Sequence, residues 1–388
     1  MCRCCSVDVT EDFYNTLNLI KEPSKMANSK IVSTIALSSL TAAMLTFSGC
    51  GSSDDSTPPP AGDTSCLVGT TLSGDCTSDV TLTAGTQWKI DGLVKIKNGA
   101  TLTVEAGTTV YGAEGANYIV VTKGSKIMAE GTAVAPIIFT SEIAKDDQAL
   151  GDVAQWGGLT ILGNAPTNHT DAFYEVDETD ADFAFGGTDA ADNSGVLTHV
   201  KILNSGKQIV TDLEINGLSL AGVGSGTTIS DISVTNSSDD CVEIWGGTVN
   251  VSNIDMTNCQ DDSFDLDYGY VGTATNISVN VTEAGSHAGF EISSGGDAPM
   301  TSPVIDGFTI TKVDGSDEGG IYIKDDTTAP QLLNGTVTTA GTDVTFKTKI
   351  AFPAAQAAAL TMSNVVASPS ATASGDGETD ILSIYNNQ

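Results

Sequence analysis

The sequence is poor in basic residues, in histidine and in aromatic residues. Its 388 residues include 16 Lys and Arg against 49 Asp and Glu, a formal net charge of −33, three His and 6% aromatics. A surface of this charge repels phosphate groups, which excludes nucleic acid as a partner. The same charge attracts divalent cations. No Arg follows Arg3, so the chain lacks the bidentate guanidinium that usually holds a carboxylate or phosphate ligand.

Helical periodicity is also lacking between residues 66 and 345. Short segments of alternating apolar and polar residues follow one another there, separated by glycines or polar corners. This pattern predicts an all-β protein. The hairpin dipeptide Asn-Gly is scarce, occurring at Asn98-Gly99, Asn216-Gly217 and Asn334-Gly335. Stacking of parallel strands is therefore favoured over a meander of hairpins.

The clearest pattern is a repeat of 22 residues. Asn236–Ile244 has the sequence NSSDDCVEI, and Asn258–Leu266 has NCQDDSFDL. The strands before them, Ile232–Val234 and Ile254–Met256, repeat in the same phase. Partial copies follow at Gly289–Ile292 and Gly320–Ile323. A period of this length predicts coils of β-strands stacked on one another.

Several segments upstream carry a family resemblance. They are Gly92–Gly112, Gly124–Thr132, Pro136–Ser141, Gln155–Pro166 and Asp192–Leu197. In this order they are similar to uncharacterised bacterial cell-surface proteins with a right-handed parallel β-helix, a solenoid of the pectin-lyase-like superfamily. The resemblance covers about residues 80–365. It implies this all-β fold and a location at the cell surface.

The coils at both ends of such a solenoid need covers, because no further coil buries their apolar side. We expect an N-terminal cap at residues 66–86, the parallel β-helix at 87–365 and a C-terminal tail at 366–388. A helix-like run, Pro353–Leu360, stands where a short C-terminal cap should lie. Residues 168–193 are acidic and too numerous for a corner, which predicts an insert over one face.

The N-terminal part carries export signals. Residues 1–49 are interpreted as an upstream extension followed by a signal peptide that begins at Met26. The residues that end at Cys50 resemble the lipobox of bacterial lipoproteins, which implies lipidation of Cys50, and Gly51 implies sorting to the outer membrane. Residues 50–65 have no apolar content to bury and are expected to form a flexible linker. We expect an exported protein, anchored by lipid to the outer membrane of a Gram-negative bacterium; a soluble exported protein is the alternative.

The four cysteines beyond the linker lie in two pairs. Cys66 and Cys76 are ten residues apart in an exported context, which predicts a disulfide that closes the N-terminal cap. Cys241 and Cys259 belong to neighbouring coils. Because their positions within the repeat are offset, free buried thiols are favoured over a second bridge, which remains the alternative.

Carboxylates recur at one position of successive coils. Glu243 points away from the core, because Val242 and Ile244 on either side point into it. Asp265 and Glu291 occupy the same position in the next coils. In register, the three carboxylates form a column with a spacing of about 4.8 Å. Like charges at that distance repel each other, so the column needs a cation, a proton or solvent to relieve it.

Clustered carboxylates are typical ligands of Ca²⁺, and the sequence predicts a calcium site on this face. The candidate metal ligands are the column residues and the acids that flank them, namely Asp240, Glu243, Asp262, Asp265, Asp267 and Glu291. A structural interpretation stands beside this one. In it, aspartates at the corners bind backbone N–H groups through Asx-turns and coat an acidic surface.

Glycoside hydrolysis is the third interpretation, since it requires two carboxyl groups beside the scissile bond. Four segments resemble, in order, the motifs of polygalacturonases, which share the fold: Asn236–Asp239, Asp261-Asp262, Gly285–His287 and Tyr322–Lys324. For a hydrolase, the resemblance implies as catalytic residues Asp239, Asp261, Asp262, His287 and Lys324. Tyr322 stands where those enzymes have a substrate-gripping Arg, and an acidic groove without Arg repels a polyuronate.

The sequence therefore predicts a lipid-anchored cell-surface module that is structural or binding in function. Its acidic face would bind divalent cations, with Ca²⁺ as the candidate cofactor. A surface glycan or another surface protein is a further candidate partner. The alternative is a polysaccharide-degrading glycoside hydrolase of the polygalacturonase type.

Overall fold

The computed structural model describes residues 66–170, 172–210, 213–282, 285–295, 298–313, 318–340 and 345–388. The expected signal peptide, the lipidation site Cys50 and the linker at 50–65 lie outside these residues. Within the described ranges, no helix combines the length and the apolar character that crossing a membrane requires.

The described residues form 27 strands and two α-helices. The first nine strands are β1 (Leu67–Val68), β2 (Thr71–Cys76), β3 (Val80–Leu82), β4 (Gln87–Ile96), β5 (Thr101–Val104), β6 (Thr109–Gly112), β7 (Tyr118–Val121), β8 (Lys126–Glu130) and β9 (Ile137–Ser141). The next nine are β10 (Leu159–Leu162), β11 (Gly195–Leu203), β12 (Gln208–Val210), β13 (Leu213–Glu214), β14 (Leu218–Ala221), β15 (Thr228–Thr235), β16 (Val242–Trp245), β17 (Asn250–Thr257) and β18 (Phe264–Asp267). The remaining elements are β19 (Thr273–Val281), β20 (Phe290–Ile292), β21 (Val304–Lys312), β22 (Ile321–Ile323), β23 (Gln331–Thr339), β24 (Phe346–Thr348), α1 (Ala354–Ala359), β25 (Thr361–Ser363), β26 (Val366–Ser368), β27 (Ala373–Gly375) and α2 (Glu378–Asn386).

The strands pair in parallel along three faces. The first face runs through β4, β7, β10, β14, β16, β18, β20, β22, β24 and β27. The second begins with β3, β5 and β8, and the third with β4, β6 and β9. From β11 onward, each long strand bends in its middle, so that one half lies on the second face and the other half on the third. The expected fold, an all-β right-handed parallel β-helix, is confirmed.

Several long strands bend where one residue has a positive φ angle. Asp231, Asn253, Asn276 and Asn334 have φ angles between 52° and 57° at this position, which Asn and Asp tolerate better than most side chains. Their side chains also bond along the stack. The amide of Asn253 donates to Asp231 at 3.0 Å, and that of Asn276 donates to Asn253 at 2.8 Å. Gly307, with a φ of 72°, occupies the same place in β21 and interrupts this Asn ladder.

Apolar residues at alternate strand positions fill the interior of the coils. Ile232 and Val234 of β15 pair with Ile254 and Met256 of β17, and all four side chains are buried. The sequence period of 22 residues is therefore the period of the coils in this region. Burying each such side chain stabilises the fold by roughly 1.5–3 kcal/mol, and only stacking provides that burial.

Both ends of the stack carry further strands, and the C-terminal end also carries two helices. Residues 66–86 already contribute β2 and β3, which pair in parallel with β4 and β5, while β1 pairs antiparallel with β2. At the other end α1 forms within the helix-like run, and the residues expected as a tail at 366–388 add β26, β27 and α2. Ile381 of α2 is fully buried, and the ring centroid of Tyr385 lies 5.6 Å from that of Phe346. The segment is part of the fold because its apolar side covers the last coil.

The insert at 168–193 packs on the outside of the first face. Tyr174 meets Trp245 edge to face, with ring centroids 5.2 Å apart, in a second apolar cluster separate from the core of the coils. Nζ of Lys95 lies 2.6 Å from Oδ2 of Asp182, which attaches the insert to the first coils. The insert is thus held by apolar contacts and by charge.

Two disulfides cross-link the described residues. Cys66 and Cys76 are bonded, the pairing expected from their spacing, with Cα atoms 5.0 Å apart. Cys241 and Cys259 are also bonded, with Cα atoms 5.5 Å apart. The preference for free thiols at this second pair is therefore wrong. The corners of neighbouring coils bring the two positions together although the sequence repeat does not align them.

Candidate cation-binding groove

The predicted column of carboxylates lies on the first face. Glu243 of β16 pairs with Asp265 of β18, and Asp265 pairs with Glu291 of β20, in one parallel register. Val242 and Ile244 point into the core, so the column points outward. Glu243 and Glu291 are nevertheless only 8% and 5% exposed. The column is outside the core and still shielded from water.

The column lines a groove with a volume of about 620 Å³. Its lining residues include ten carboxyl groups against one Lys and one His, which makes the groove strongly negative. They are Glu175, Gln208, Glu214, Asp239, Asp240, Glu243, Asp261, Asp262, Asp265, His287, Glu291, Glu318, Tyr322 and Lys324.

Asp240 and Asp262 occupy equivalent corners of neighbouring coils and belong to a hydrogen-bond ladder. The backbone N–H of Asp240 donates to Oδ1 of Asn216 at 3.2 Å, and that of Asp262 donates to Oδ1 of Asp240 at 2.8 Å. The N–H of Ala288 donates to Oδ1 of Asp262 in the same way. One oxygen of each aspartate thus accepts a backbone N–H, as in the structural interpretation, but the donor belongs to the next coil and the contact is not an Asx-turn. The other oxygen of each has no hydrogen-bond partner in the described part of the chain.

The column itself is only partly satisfied by hydrogen bonds. Nδ2 of Asn216 donates to Oε2 of Glu243 at 2.6 Å. Oδ1 of Asp265, by contrast, is shut off from solvent and accepts no hydrogen bond from any described residue. A buried carboxylate oxygen without a donor is costly. Asp265 is therefore the member of the column with the strongest need for a further partner.

One Lys and one His side chain contact carboxylates of the groove. Nδ1 of His287 contacts the carboxylate of Asp261, and Nζ of Lys324 lies 2.5 Å from Oε1 of Glu291. The buried Lys312 donates to the backbone carbonyl of His287 and so holds the corner that carries the imidazole. Lys324 thus neutralises Glu291, and His287 contacts one carboxylate at the edge of the acidic cluster.

Burial raises the pKa of most carboxyl groups in the groove. Burial, followed by the charge of Asp261, raises the pKa of Asp239 to about 8. Burial, followed by the charge of Glu291, raises the pKa of Asp265 well above its usual range. The pKa is also raised, with burial as the main cause, for Asp240, Glu243, Asp262, Asp267 and Glu291. Burial lowers the pKa of Lys324, but Glu291 outweighs that effect and holds this pKa above its ordinary value.

Four groups of three side chains bring one potential ligand atom each to within 4.8 Å of one another. They are Asp239–Asp240–Asp261, Asp240–Glu243–Asp265, Asp261–Asp262–His287 and Asp262–Asp265–Glu291. Three groups consist of carboxylates alone, which suits a hard divalent cation, and the fourth includes an imidazole nitrogen. The separations are shorter than the roughly 6.5–9.5 Å between the carboxyl groups of an inverting glycosidase.

The groove brings together all the residues predicted as catalytic and all but one of the predicted metal ligands. The exception is Asp267, which does not line the groove. It stands at the end of β18, where its carboxylate accepts a hydrogen bond from the N–H of Tyr268 at 2.5 Å. The outward face of the strand thus extends beyond the groove, and Asp267 lies on that extension.

Sequence reasoning missed the residues that close the groove from outside the repeat. Glu175 comes from the insert, Glu214 from β13 and Glu318 from the segment before β22. It also missed Asn216, which joins the corner ladder to the column. The acidity of the insert was the one available signal for Glu175. No repeated motif in the sequence marks Glu214, Glu318 or Asn216.

Residues 74–385 match the family described as the pectate-lyase-like β-helix domain. The chain belongs to this family. The match confirms the expected pectin-lyase-like fold, and every residue that lines the groove lies within it. A fold does not set an activity, so the function of this pectate-lyase-like β-helix domain has to be argued from the groove.

Among solved structures, this pectate-lyase-like β-helix domain is similar to the enzymatically active domain of tailspike protein 2 of bacteriophage CBA120. The two are 14% identical, with a TM-score of 0.29, over 75% of this chain and 39% of the tailspike chain. The chain thus spans well under half of that protein, and the similarity carries no argument about function. No curated protein sequence matches the chain.

Proposed function

We propose that the acidic groove binds a divalent cation, with Ca²⁺ as the first candidate. The observation that carries the proposal is the convergence of Asp240, Glu243 and Asp265 within 4.8 Å. None of the three forms an ion pair with a Lys or His in the part of the chain that the structure describes. Three carboxylates at this distance, two of them buried, repel one another unless protons or a cation neutralise them.

The donor atoms favour calcium over other ions. Carboxylate oxygens are hard ligands, and Ca²⁺ accepts six to eight of them in a flexible arrangement. Mg²⁺ demands near-ideal octahedral geometry and keeps several waters, whereas thiolate and imidazole ligands suit zinc and copper. The coils also hold Glu243 and Asp265 on paired strands, which reduces the entropy lost on binding.

Calorimetric titration with Ca²⁺ and thermal unfolding test this proposal. We expect binding heat and a rise in the unfolding temperature, both lost in Glu243→Gln. Asp255→Asn is the matched control, since Asp255 is an exposed acid on β17 outside the groove. Absence of heat and of any rise in unfolding temperature at millimolar calcium would refute the proposal.

A second candidate function is glycoside hydrolysis. Its support is that the residues implied by the polygalacturonase resemblance, from Asp239 to Lys324, line one groove. The raised pKa values of Asp239 and Asp262 suit a general acid. The test is the release of reducing ends from a panel of neutral and charged polysaccharides. Asp262→Asn should lose this release, and Asp255→Asn should keep it. If no polysaccharide is cleaved, binding alone remains.

We further propose that the protein is exported and anchored through Cys50 to the outer membrane. The support is the signal-like sequence and the lipobox resemblance, which lie outside the described residues. In membrane fractionation, Cys50→Ala should move the protein from the membrane to the soluble fraction. A variant that stays with the membrane would contradict lipid anchoring. A surface glycan or another surface protein is the proposed partner of the anchored form.

A further inference from the structure

The four clusters in the groove differ in whether a Lys or His side chain contacts one of their members. His287 belongs to one cluster and contacts Asp261 there. Lys324 reaches a second one, the cluster of Asp262, Asp265 and Glu291, through its contact of 2.5 Å with Glu291. The remaining two clusters both include Asp240, and of these only Asp240–Glu243–Asp265 has no member in contact with a Lys or His among the described residues.

Lys324 is held where an added cation would otherwise bind. Its backbone N–H donates to the carbonyl of Ile292 at 3.0 Å, so the residue continues β22 on the first face. Its partner carboxylate is only 6% exposed, whereas 42% of the Lys324 side chain is exposed. The ammonium group therefore sits at the solvent side of Glu291. An ammonium group is a compact point charge, which resembles a metal ion in its demand for oxygen atoms.

The two clusters that include Asp240 have only a limited number of free oxygens. Oδ1 of Asp240 already accepts the N–H of Asp262 at 2.8 Å. Both clusters draw on this one carboxylate, so a single ion bound beside it can satisfy both. The cluster Asp240–Glu243–Asp265 is the more enclosed of the two. It contains Asp265, whose Oδ1 is buried without a hydrogen bond to any described residue. That unsatisfied oxygen is an observation independent of the clustering.

We infer that Lys324 is a built-in counter-ion that closes the cluster of Asp262, Asp265 and Glu291 to added metal. The groove then takes one divalent cation, at Asp240, Glu243 and Asp265. The inference rests on the proposed cation binding and adds to it the position of the ion, the number of ions and the residue that sets that number. Removing the ammonium group opens a second site one coil further along the column.

Equilibrium dialysis with radioactive Ca²⁺, in a background of about 0.15 M KCl to screen exposed carboxylates, counts the bound ions. We expect one ion for the wild type, two for Lys324→Met and none for Glu243→Gln. The double variant should bind one ion, at the newly opened cluster. Lys347→Met is the matched control, because Lys347 pairs with Glu318 at 3.3 Å and not with the column. It should bind one ion.

The outcomes separate this inference from the proposed function. If the wild type binds no ion, the proposed function fails. If the wild type binds one ion and folded Lys324→Met also binds one, cation binding stands and the role of Lys324 is wrong. If the wild type binds two ions, the role of Lys324 is wrong as well. If Lys324→Met does not fold, the NMR chemical shift of Nζ of Lys324 in the wild type is measured instead. At saturating Ca²⁺ this chemical shift should stay at the value of an ion-paired lysine. A change to the value of a free lysine overturns the inference.

Discussion

Asp265 is shared by two of the carboxylate clusters, Asp240–Glu243–Asp265 and Asp262–Asp265–Glu291. It pairs in register with Glu243 on one side and Glu291 on the other, and its Oδ1 has no hydrogen-bond partner among the described residues. Without a cation, its charge opposes folding. With a cation, the same charge becomes a ligand. Its contribution to stability should therefore change sign with calcium.

Asp265→Asn tests this change of sign. In chelator at neutral pH, the variant should be more stable than the wild type by about 1–2 kcal/mol, because a neutral amide removes the repulsion among buried carboxylates. In calcium, it should gain no stability. Denaturant unfolding with and without Ca²⁺ measures both effects. A variant less stable than the wild type in chelator would show that repulsion does not dominate at this position.

At the scale of elements, the bent strands depend on residues that accept positive φ angles. Asn253 and Asn276 combine that conformation with hydrogen bonds along the stack. Gly307 supplies the conformation without the hydrogen bond, and Asn334 bonds to Asp306 at 2.7 Å instead. A Cβ at Gly307 would meet its nearest neighbour, the backbone nitrogen of Asn276, at 3.8 Å, an ordinary contact.

Gly307→Asn should therefore complete the Asn ladder. We expect the free energy of unfolding to rise by about 0.5–1 kcal/mol, from the added hydrogen bond and the lower entropy of the unfolded chain. Gly307→Val is the control, because a β-branched side chain is strained at this φ angle and should destabilise the protein. Thermal and denaturant unfolding measure both variants. Equal stability of the Asn variant and the wild type would mean that the ladder adds nothing at this coil.

α2 is the element that closes the C-terminal end. Ending the chain at Gly377 should expose Phe346 and the free edge of β27, and exposed strand edges pair with other chains. We expect a lower unfolding temperature and self-association, measured by light scattering after size-exclusion chromatography. Gln388→Ala, which removes only the hydrogen bonds to Val365, should behave like the full-length protein. An unchanged mass and unfolding temperature of the shortened chain would contradict the role of α2 as a cap.

At the scale of the whole molecule, the acidic groove couples stability to pH. The pKa of Asp239 rises from 3.8 to about 8 on folding, so the native state binds more protons than the unfolded state between these values. The free energy of unfolding then falls as pH rises through this window, by at most about 1.4 kcal/mol per pH unit for each such group. Calcium displaces the protons and should weaken this dependence.

Thermal unfolding from pH 4 to pH 8, in chelator and in calcium, tests the coupling. In chelator, the unfolding temperature should fall steadily toward pH 8. In calcium, it should stay level or rise, and calorimetry in buffers of different ionisation enthalpy should report proton release on binding. An unfolding temperature that rises with pH in chelator would show that the carboxylates are ionised without cost in the folded protein.

The sequence by itself determined the stacked all-β fold and the carboxylate column. Alternation of apolar and polar residues and the 22-residue repeat act locally and repeat from coil to coil, so Glu243, Asp265 and Glu291 could be aligned without coordinates. Only the tertiary structure decided what surrounds that column. Glu175 and Glu214 reach it from outside the repeat, Cys241 bonds to Cys259 across offset positions, and Lys324 pairs with Glu291. Burial, and with it the pKa values and the number of sites open to a cation, depends on these contacts between distant segments, which periodicity does not encode.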